Sequence, residues 1–310
     1  MKKLSAAVGV VRKRNYMQKN WQMYMMILPG ALFFIIFKYI PLSGSIIAFQ
    51  DYSVFKGILG SEFVGLENFR TMLAYPEFFR ILRNTVLISV YKLVFGFPAP
   101  IILAILLNEI GKMFFKRFIQ TILYLPHFLS WVIVGGMVIS ILSPTSGPVN
   151  ELVKLMGKEP IYFMQEPDYF RIIIVVSDVW KGVGWGTIIY LAALAGVNPE
   201  LYEAAEVDGA GKLRQVSSIT IPAILPTIMI LLLLNIGDIL DVGVEQVYML
   251  LNPLVTSTGE IIDTYTYRVG LLGGKMSLTT AIGLFKSIVG LVLIVMANQV
   301  SKKTTGESIF

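Results

Sequence analysis

Ionisable and amide side chains lie inside apolar segments of this 310-residue chain, where they could line a polar passage. Asp178, Lys181 and Trp185 fall within about 60° of one another when their segment is drawn as a helix. A second segment places five polar residues within about 140° of a helical wheel. These residues are Asn235, Asp238, Asp241, Glu245 and Gln246. Because charged groups at membrane depth are costly, they usually face a cavity or a partner. We therefore predict two polar stripes that share one cavity.

Aromatic rings beside these stripes extend the chemistry of the predicted cavity. Trp180, Trp185 and Tyr190 could stack on the apolar C–H faces of sugar rings, while Asp, Asn and Gln side chains bond hydroxyl groups. We add Trp180 to the stripe residues as a candidate for substrate contact. Polar groups inside helix bundles also pair with one another, so contact between helices is the alternative role for every candidate. Lys38 and Lys92 are expected to extend to a membrane interface.

The sequence contains no constellation typical of an enzyme or a metal site. It has no cysteine and a single histidine, His127, whereas a metal site needs several ligands. It has no G-x-x-x-x-G-K-S/T phosphate-binding loop, no G-x-S-x-G and no HExxH motif. We therefore expect no catalytic residue, metal or cofactor in this chain. Any ATP-driven step would need ATP and Mg²⁺ bound by partner subunits.

The elements that must position the polar residues are membrane-spanning helices. Apolar residues make up 55% of the chain, charged residues 15%, and the mean hydropathy is +0.70, whereas soluble domains carry about 25% charged residues. A helix that crosses the ~30 Å hydrocarbon layer needs ~20 apolar residues. Six stretches qualify: 22–49, 84–107, 118–142, 169–195, 223–251 and 277–300. We predict an all-α membrane protein with six transmembrane helices.

Basic residues predict the side of the membrane on which each segment lies. Residues 1–20 carry six basic residues and no acid, and such segments stay in the cytoplasm. Six spans return the C-terminus to the same side, and the segment 198–222 lies there as well. We predict a basic cytoplasmic tail (1–20), a transmembrane domain (21–303) and a cytoplasmic C-terminal tail (304–310). The net charge of +6 reflects these segment ends, so it does not predict nucleic-acid binding.

The segment 198–222 is a polar island between two strongly apolar segments. Asn198 and the proline after it predict a helix start, because asparagine caps first-turn amides and proline fits the first turn. Gly209 can adopt φ > 0 and end that helix. A second short helix would follow from Lys212, and Pro222 would close the island. We expect two short helices joined by a bend.

The spacing inside the polar island follows a pattern of E-A-A, three residues, G, nine residues, I-x-I-P. The residues concerned are Glu203, Ala204, Ala205, Asp208, Gly209, Ile219 and Pro222. This spacing resembles the EAA loop of permease subunits of binding-protein-dependent ABC importers, and Ile221 replaces the leucine of that pattern. YLPHFLSWVIVGG (124–136) and DVWKGVGWGTIIYLAALAG (178–196) are similar to the polysaccharide or LplB-type branch of carbohydrate importer permeases, within the MalF/MalG-like family.

The resemblance implies a type I importer permease with a cytoplasmic EAA coupling helix. Its partners would be a second homologous permease, two cytoplasmic nucleotide-binding ATPase subunits, an extracellular binding protein and membrane lipid. Glu203 would pair with a basic residue of an ATPase subunit, and Ala204 and Ala205 would let the helix enter a groove. The implied function is ATP-driven uptake of an oligosaccharide or polysaccharide-derived sugar across the bacterial cytoplasmic membrane, by alternating access.

Two other functions remain open from the sequence. One is a permease of an ABC importer for a different solute class. The other is an ion-coupled secondary transporter that would use Asp178, Asp238 and Asp241 as ion sites, although such carriers often show inverted repeats, which we do not find. The charge of a sugar also stays open, since Lys181 and Lys286 would favour uronates whereas the aspartates would favour neutral sugars.

Overall fold

Long apolar helices form most of the chain in the computed structural model, which describes residues 20–304. The predicted terminal tails lie almost entirely outside this range. Within it, five continuous helices are long and apolar enough to cross a membrane, and a bent pair could form a sixth span. We number them span 1 (Trp21–Phe49), span 2 (Pro76–Asn108), span 3 (Met113–Phe128 with Trp131–Ile141), span 4 (Pro167–Ala195), span 5 (Lys212–Gly237) and span 6 (Met276–Lys303). The prediction of an all-α membrane protein is confirmed.

Short elements connect the spans. The shorter helices are Gly57–Gly60, Glu67–Ala74, Pro148–Leu155, Glu200–Val207, Val244–Leu250, Pro253–Val255, Thr256–Gly259, Ile262–Tyr265 and Thr266–Leu272. Two short strands, β1 (Gln50–Asp51) and β2 (Glu62–Phe63), pair antiparallel with Gln50 opposite Phe63. Helix Glu200–Val207 lies in the polar island, and Val244–Leu250 follows span 5.

Pro222 does not close the polar island, which corrects the sequence prediction. The helix that begins at Lys212 continues through Pro222 to Gly237. A proline removes one backbone hydrogen bond and its ring collides with the carbonyl four residues earlier. That carbonyl belongs to Ser218, which lies in a wide π-type turn, Val216–Thr220. The wide turn absorbs the proline, so the polar island runs directly into span 5.

Span 3 is not the straight helix that the stretch 118–142 predicted. Its two halves meet at an angle of 103° around Leu129 and Ser130. Leu129 is extended, and the Ser130 hydroxyl accepts a hydrogen bond from the backbone N–H of Ile133 at 3.4 Å, which caps the second half. Pro126 precedes the bend, within the last turn of the first half. The apolar stretch therefore forms two helices instead of one, because a proline ends the first half and a serine caps the start of the second.

Span 5 is also shorter than predicted. It ends at Gly237, and a turn leads to Gly243, whose φ of +87° starts the separate helix Val244–Leu250. Gly237 lies against span 6, where a β-carbon would stand 2.8 Å from Cδ1 of Ile294. The predicted single helical stripe is therefore wrong for this segment. Its members are divided between the end of span 5, the turn and the following helix: Asn235, Asp238, Asp241, Glu245 and Gln246.

Span 4 packs at the centre of the bundle. Phe170 and Ile174 are fully buried with Val247 and Ile261 from the segment after span 5. Further along, Gly184 allows a close approach to span 3, because a β-carbon there would lie 2.0 Å from a backbone oxygen. By contrast, no residue of the most apolar stretch of span 1 is buried within the chain. Span 4 is thus the element around which the cavity is built.

A buried carboxylate, Glu260, connects several segments at the end of the bundle opposite the polar island. Glu260 is 1% exposed and accepts hydrogen bonds from Arg268 Nε at 3.0 Å and Arg80 Nη2 at 3.4 Å. Asn84 donates to the backbone oxygen of Glu260 at 3.2 Å and accepts from Arg171 at 2.9 Å. Two arginines and one carboxylate therefore fasten span 2 to the segment that precedes span 6.

Replacing Glu260 with glutamine is expected to lower the free energy of unfolding by about 2 kcal/mol, because two guanidinium groups lose their buried counter-charge. The partial exposure of both arginines keeps this value below that of a fully buried pair. Thermal unfolding of the purified protein measures the change. The matched control is Glu245→Gln, at an exposed acid with no ion pair among residues 20–304. Equal shifts for both variants would contradict the prediction.

Candidate functional site

A cavity of about 450 Å³ lies between span 2, span 4 and the end of span 5. Its polar lining residues are Ser89, Lys92, Asp178, Asn235, Asp238, Asp241 and Gln246. Trp131 and Tyr190 add aromatic surface. Pocket walls that are mostly apolar with a few placed polar groups are typical of sites for small molecules. We refer to this space as the central cavity.

The central cavity brings together five of the nine predicted contact residues: Asp178, Asn235, Asp238, Asp241 and Gln246. Four others do not line it: Trp180, Lys181, Trp185 and Glu245. On span 4 the lining follows Asp178, Gly182 and Gly186, which are spaced four residues apart on one face. Lys181 and Trp185 form the neighbouring face, which meets span 3 instead. The residues after span 5 reach the cavity because the chain turns, not because they share a helical face.

Lys181 and Trp185 hold the bend of span 3. The ammonium of Lys181 donates to the backbone oxygen of His127 at 2.6 Å and stands 5.5 Å from the ring centre of Trp131. The His127 ring stacks on Trp185 with centroids 4.4 Å apart and planes 2° from parallel. Among the described residues, these contacts give Lys181 and Trp185 the interhelical role that the sequence left open. Trp180 lines a separate, almost wholly apolar cavity of about 440 Å³.

Lys92 lines the central cavity, although it was not among the predicted contact residues. It does not extend to an interface: its ammonium donates to Asp178 Oδ1 at 2.9 Å, Val242 O at 2.7 Å and Gln246 Oε1 at 2.6 Å. The amide of Gln246 in turn donates to Ile174 O at 2.7 Å. This network connects span 2, span 4 and the turn after span 5. The sequence contains one indication of this role: Lys92 is the only Lys, Arg, Asp or Glu between positions 83 and 109.

The polar island forms the helix that its sequence predicted. The side-chain oxygen of Asn198 accepts from the N–H of Glu200 at 3.1 Å and caps the helix Glu200–Val207. Gly209 ends it with φ +77°. The N–H of Ala210 then bonds Ala205 O at 2.8 Å, and the N–H of Gly209 bonds Glu206 O at 3.0 Å. These are the two hydrogen bonds of a Schellman motif, and we call Glu200–Val207 the coupling helix.

Several side chains fix the coupling helix to the bundle. Tyr202 Oη and Thr220 Oγ1 are 3.0 Å apart, which joins the helix to the base of span 5. Gln215, 3% exposed, donates to the backbone oxygen of Ala210 at 3.1 Å. Because the helix starting at Lys212 is continuous with span 5, these contacts connect the polar island directly to that span.

The exposed face of the coupling helix carries the predicted acid of the motif. Glu203 forms no ion pair among residues 20–304, and it is exposed together with Ala204, whereas Ala205 is half-buried. Val207 and Leu213 are each 88% exposed. Of the other predicted motif residues, Asp208 and Pro222 are exposed and Ile219 is half-buried. Exposed apolar side chains beside a free carboxylate indicate a surface for another protein. No group of metal-ligating side chains occurs among these residues.

Comparison with known proteins agrees with this geometry. Residues 96–306 match the family model described as binding-protein-dependent transport system inner membrane component. The polygalacturonan/rhamnogalacturonan transport system permease protein YteP of Bacillus subtilis is 49% identical, over 93% of this chain and 90% of its own length. Protein LplB of the same species is 46% identical, over 99% of this chain and 96% of its own length.

A solved structure has the same fold. It is the crystal structure of a bacterial alginate ABC transporter in complex with an alginate pentasaccharide-bound periplasmic protein. One of its chains is 39% identical to this chain with a TM-score of 0.88, and the match covers 96% of this chain and all of the other. The fold is therefore that of a type I ABC permease. The chain belongs to the family of inner membrane components of binding-protein-dependent transport systems.

Proposed function

We propose that this permease imports an oligosaccharide or polysaccharide-derived sugar that an extracellular binding protein delivers. In this proposal both termini and the coupling helix lie in the cytoplasm, and the opposite end of the bundle receives the binding protein. Support comes from relatives named for a polysaccharide transport system and from the alginate transporter with its periplasmic protein. The polar central cavity agrees with a solute rich in hydroxyl groups.

The observation that carries the proposal is the coupling helix. It exposes Glu203, which forms no ion pair among residues 20–304, beside Ala204. It ends in a Schellman turn, and it is bonded to the base of span 5 through Tyr202 and Thr220. We propose that it docks in a groove of a cytoplasmic ATPase subunit, which holds ATP and Mg²⁺, and that a second permease docks on the other ATPase subunit. Closure of the two ATPase subunits would then rotate span 5 and switch access to the cavity.

We assign proposed roles to the remaining candidate residues from their positions in the central cavity. Asp238, Asp241 and Asn235 would bond sugar hydroxyl groups, because they line the central cavity. Among the described residues, neither aspartate forms an ion pair and the side-chain oxygen of Asn235 accepts no hydrogen bond. Asp178 and Gln246 would act through the Lys92 network. An ion-coupled carrier receives less support, because Asp178 already has an ammonium partner at 2.9 Å.

Charge reversal at Glu203 tests the docking. With the importer reconstituted from both permeases, the ATPase and the binding protein, Glu203→Lys is expected to reduce sugar-stimulated ATP hydrolysis about fivefold, because a charge-assisted contact becomes a repulsion. The control is Lys303→Glu, a charge reversal at an exposed residue at the end of span 6, which should leave the stimulation unchanged. If both variants behave like the parent, the coupling helix does not contact the ATPase through Glu203.

A further inference from the structure

Negatively charged side chains outnumber positively charged ones in the lining of the central cavity. Among its lining residues are three carboxylates and one ammonium group: Asp178, Asp238, Asp241 and Lys92. A cavity of one dominant sign raises the local concentration of compatible ligands and lowers that of like-charged ligands. The availability of the single ammonium group therefore decides whether this wall can bind an acidic sugar.

Lys92 has no hydrogen left for a substrate. A lysine ammonium has three N–H donors and no acceptor. Three acceptors already surround it, namely Asp178 Oδ1 at 2.9 Å, Val242 O at 2.7 Å and Gln246 Oε1 at 2.6 Å. Its charge is compensated by Asp178, and its side chain is only 15% exposed. A carboxylate in the cavity would have to break this network to reach it.

The two other lysines that could favour a uronate are also hydrogen-bonded to groups of the protein. Lys286 donates to both carboxylate oxygens of Asp263, at 2.6 and 2.9 Å. Lys181 donates to the backbone oxygen of His127 and lies beside Trp131. Neither lysine lines the central cavity. The interior of the described chain therefore offers no free ammonium at this wall.

The polar groups that remain available in the central cavity are acceptor oxygens. Asp238 and Asp241 are exposed and form no ion pair among residues 20–304. Asn235 donates its amide N–H to Leu231 O at 2.9 Å, and no bond to its side-chain oxygen occurs among the described residues. Sugar hydroxyl groups can donate to these oxygens.

We infer that the central cavity selects uncharged, hydroxyl-bearing oligosaccharides and rejects uronate oligomers, with Asp238 and Asp241 as the specificity-determining residues. This inference rests on the proposed function and specifies its substrate class. It sets the chain apart from what the names of two relatives suggest, since polygalacturonan and alginate are built from uronic acids.

Matched trisaccharides test the selection directly. Uronate trimers with galactose, glucose and mannose configuration are compared with their carboxyl-reduced counterparts, in which an uncharged hydroxymethyl group replaces each carboxylate. Binding to the complete importer in lipid nanodiscs, without the binding protein, is measured by equilibrium dialysis. For the best-bound configuration, the neutral trimer is expected to bind on the order of tenfold more tightly at low salt, and the difference should shrink as salt is raised.

The double variant Asp238→Asn with Asp241→Asn is expected to reduce this preference to about threefold or less, because it removes the repulsion. The control double variant is Glu62→Gln with Glu159→Gln, which removes the same charge from exposed positions outside the central cavity and should keep the preference. Tighter binding of a uronate trimer, an unchanged preference in the aspartate variant, or no binding of any neutral trimer would overturn the inference.

Failure of the proposed function gives a different result. A protein that is not a sugar permease would show no ATP hydrolysis in response to any sugar-loaded binding protein. An importer of uronates would keep that response and reverse the binding preference. The two measurements together therefore separate an incorrect substrate class from an incorrect function.

Discussion

Valine in place of Gly209 is expected to uncouple ATP hydrolysis from transport more strongly than the charge reversal at Glu203. Gly209 has φ +77°, and nothing lies within 4 Å of the position that a β-carbon would take. The cost is therefore backbone strain alone, about 2 kcal/mol for a left-handed β-branched residue. This free energy corresponds to a roughly thirtyfold decrease in the equilibrium constant for forming the observed turn. Sugar-stimulated ATP hydrolysis and sugar uptake by the reconstituted importer would measure the loss.

The same loop supplies the control for this prediction. Gly211 also has open space around it, but its φ of −68° and ψ of 164° are extended backbone that valine adopts readily. Gly211→Val should change ATP hydrolysis less than twofold, and Gly209→Asn should retain most of it, because asparagine tolerates the left-handed region. If Gly209→Val transports normally, the Schellman turn is not required for coupling.

Replacing Lys92 with methionine is expected to have the largest effect on stability. It leaves a carboxylate and two oxygens without their donor at the junction of span 2, span 4 and the turn after span 5. Breaking a buried ion pair costs about 3–5 kcal/mol. Because Asp178 is 35% exposed, solvent screening lowers our expectation to about 2–3 kcal/mol. Thermal unfolding of the purified permease in detergent would measure this loss.

A second substitution separates charge from packing at this position. Lys92→Met combined with Asp178→Asn removes the uncompensated carboxylate, so it should recover about half of the lost stability. Lys38→Met is the control, at an exposed lysine of span 1 without a partner among residues 20–304, and it should change stability by less than about 0.5 kcal/mol. A double variant no more stable than Lys92→Met would show that packing around the lysine stem dominates.

These two residues differ in how visible they are in the sequence. The role of Gly209 can be predicted because its signals are local: a capping asparagine, a helix of two turns and a glycine at its end all lie within twelve residues. The role of Lys92 cannot be predicted in this way, since its acceptors lie 86 and 154 positions away along the chain.

The sequence by itself determined the membrane class, the six apolar segments, the coupling helix and the family. Composition, segment length and capping chemistry are properties of short stretches, so they can be evaluated without knowing which segments are neighbours. The spacing of Glu203, Gly209 and Pro222 can likewise be read from the sequence alone. The continuation of the helix through Pro222 could not be predicted, because it depends on a wide turn for which the sequence has no signal.

Only the tertiary structure decided which polar residues share the central cavity. Asp178 and Lys181 are three residues apart, yet one lines the cavity and the other holds the bend of span 3. Asp238 and Asp241 reach the cavity because span 5 ends at Gly237 against span 6. The physical reason is that a membrane helix fixes only the angular position of a side chain. Its partner, and therefore its charge state and role, depends on which helices pack around it.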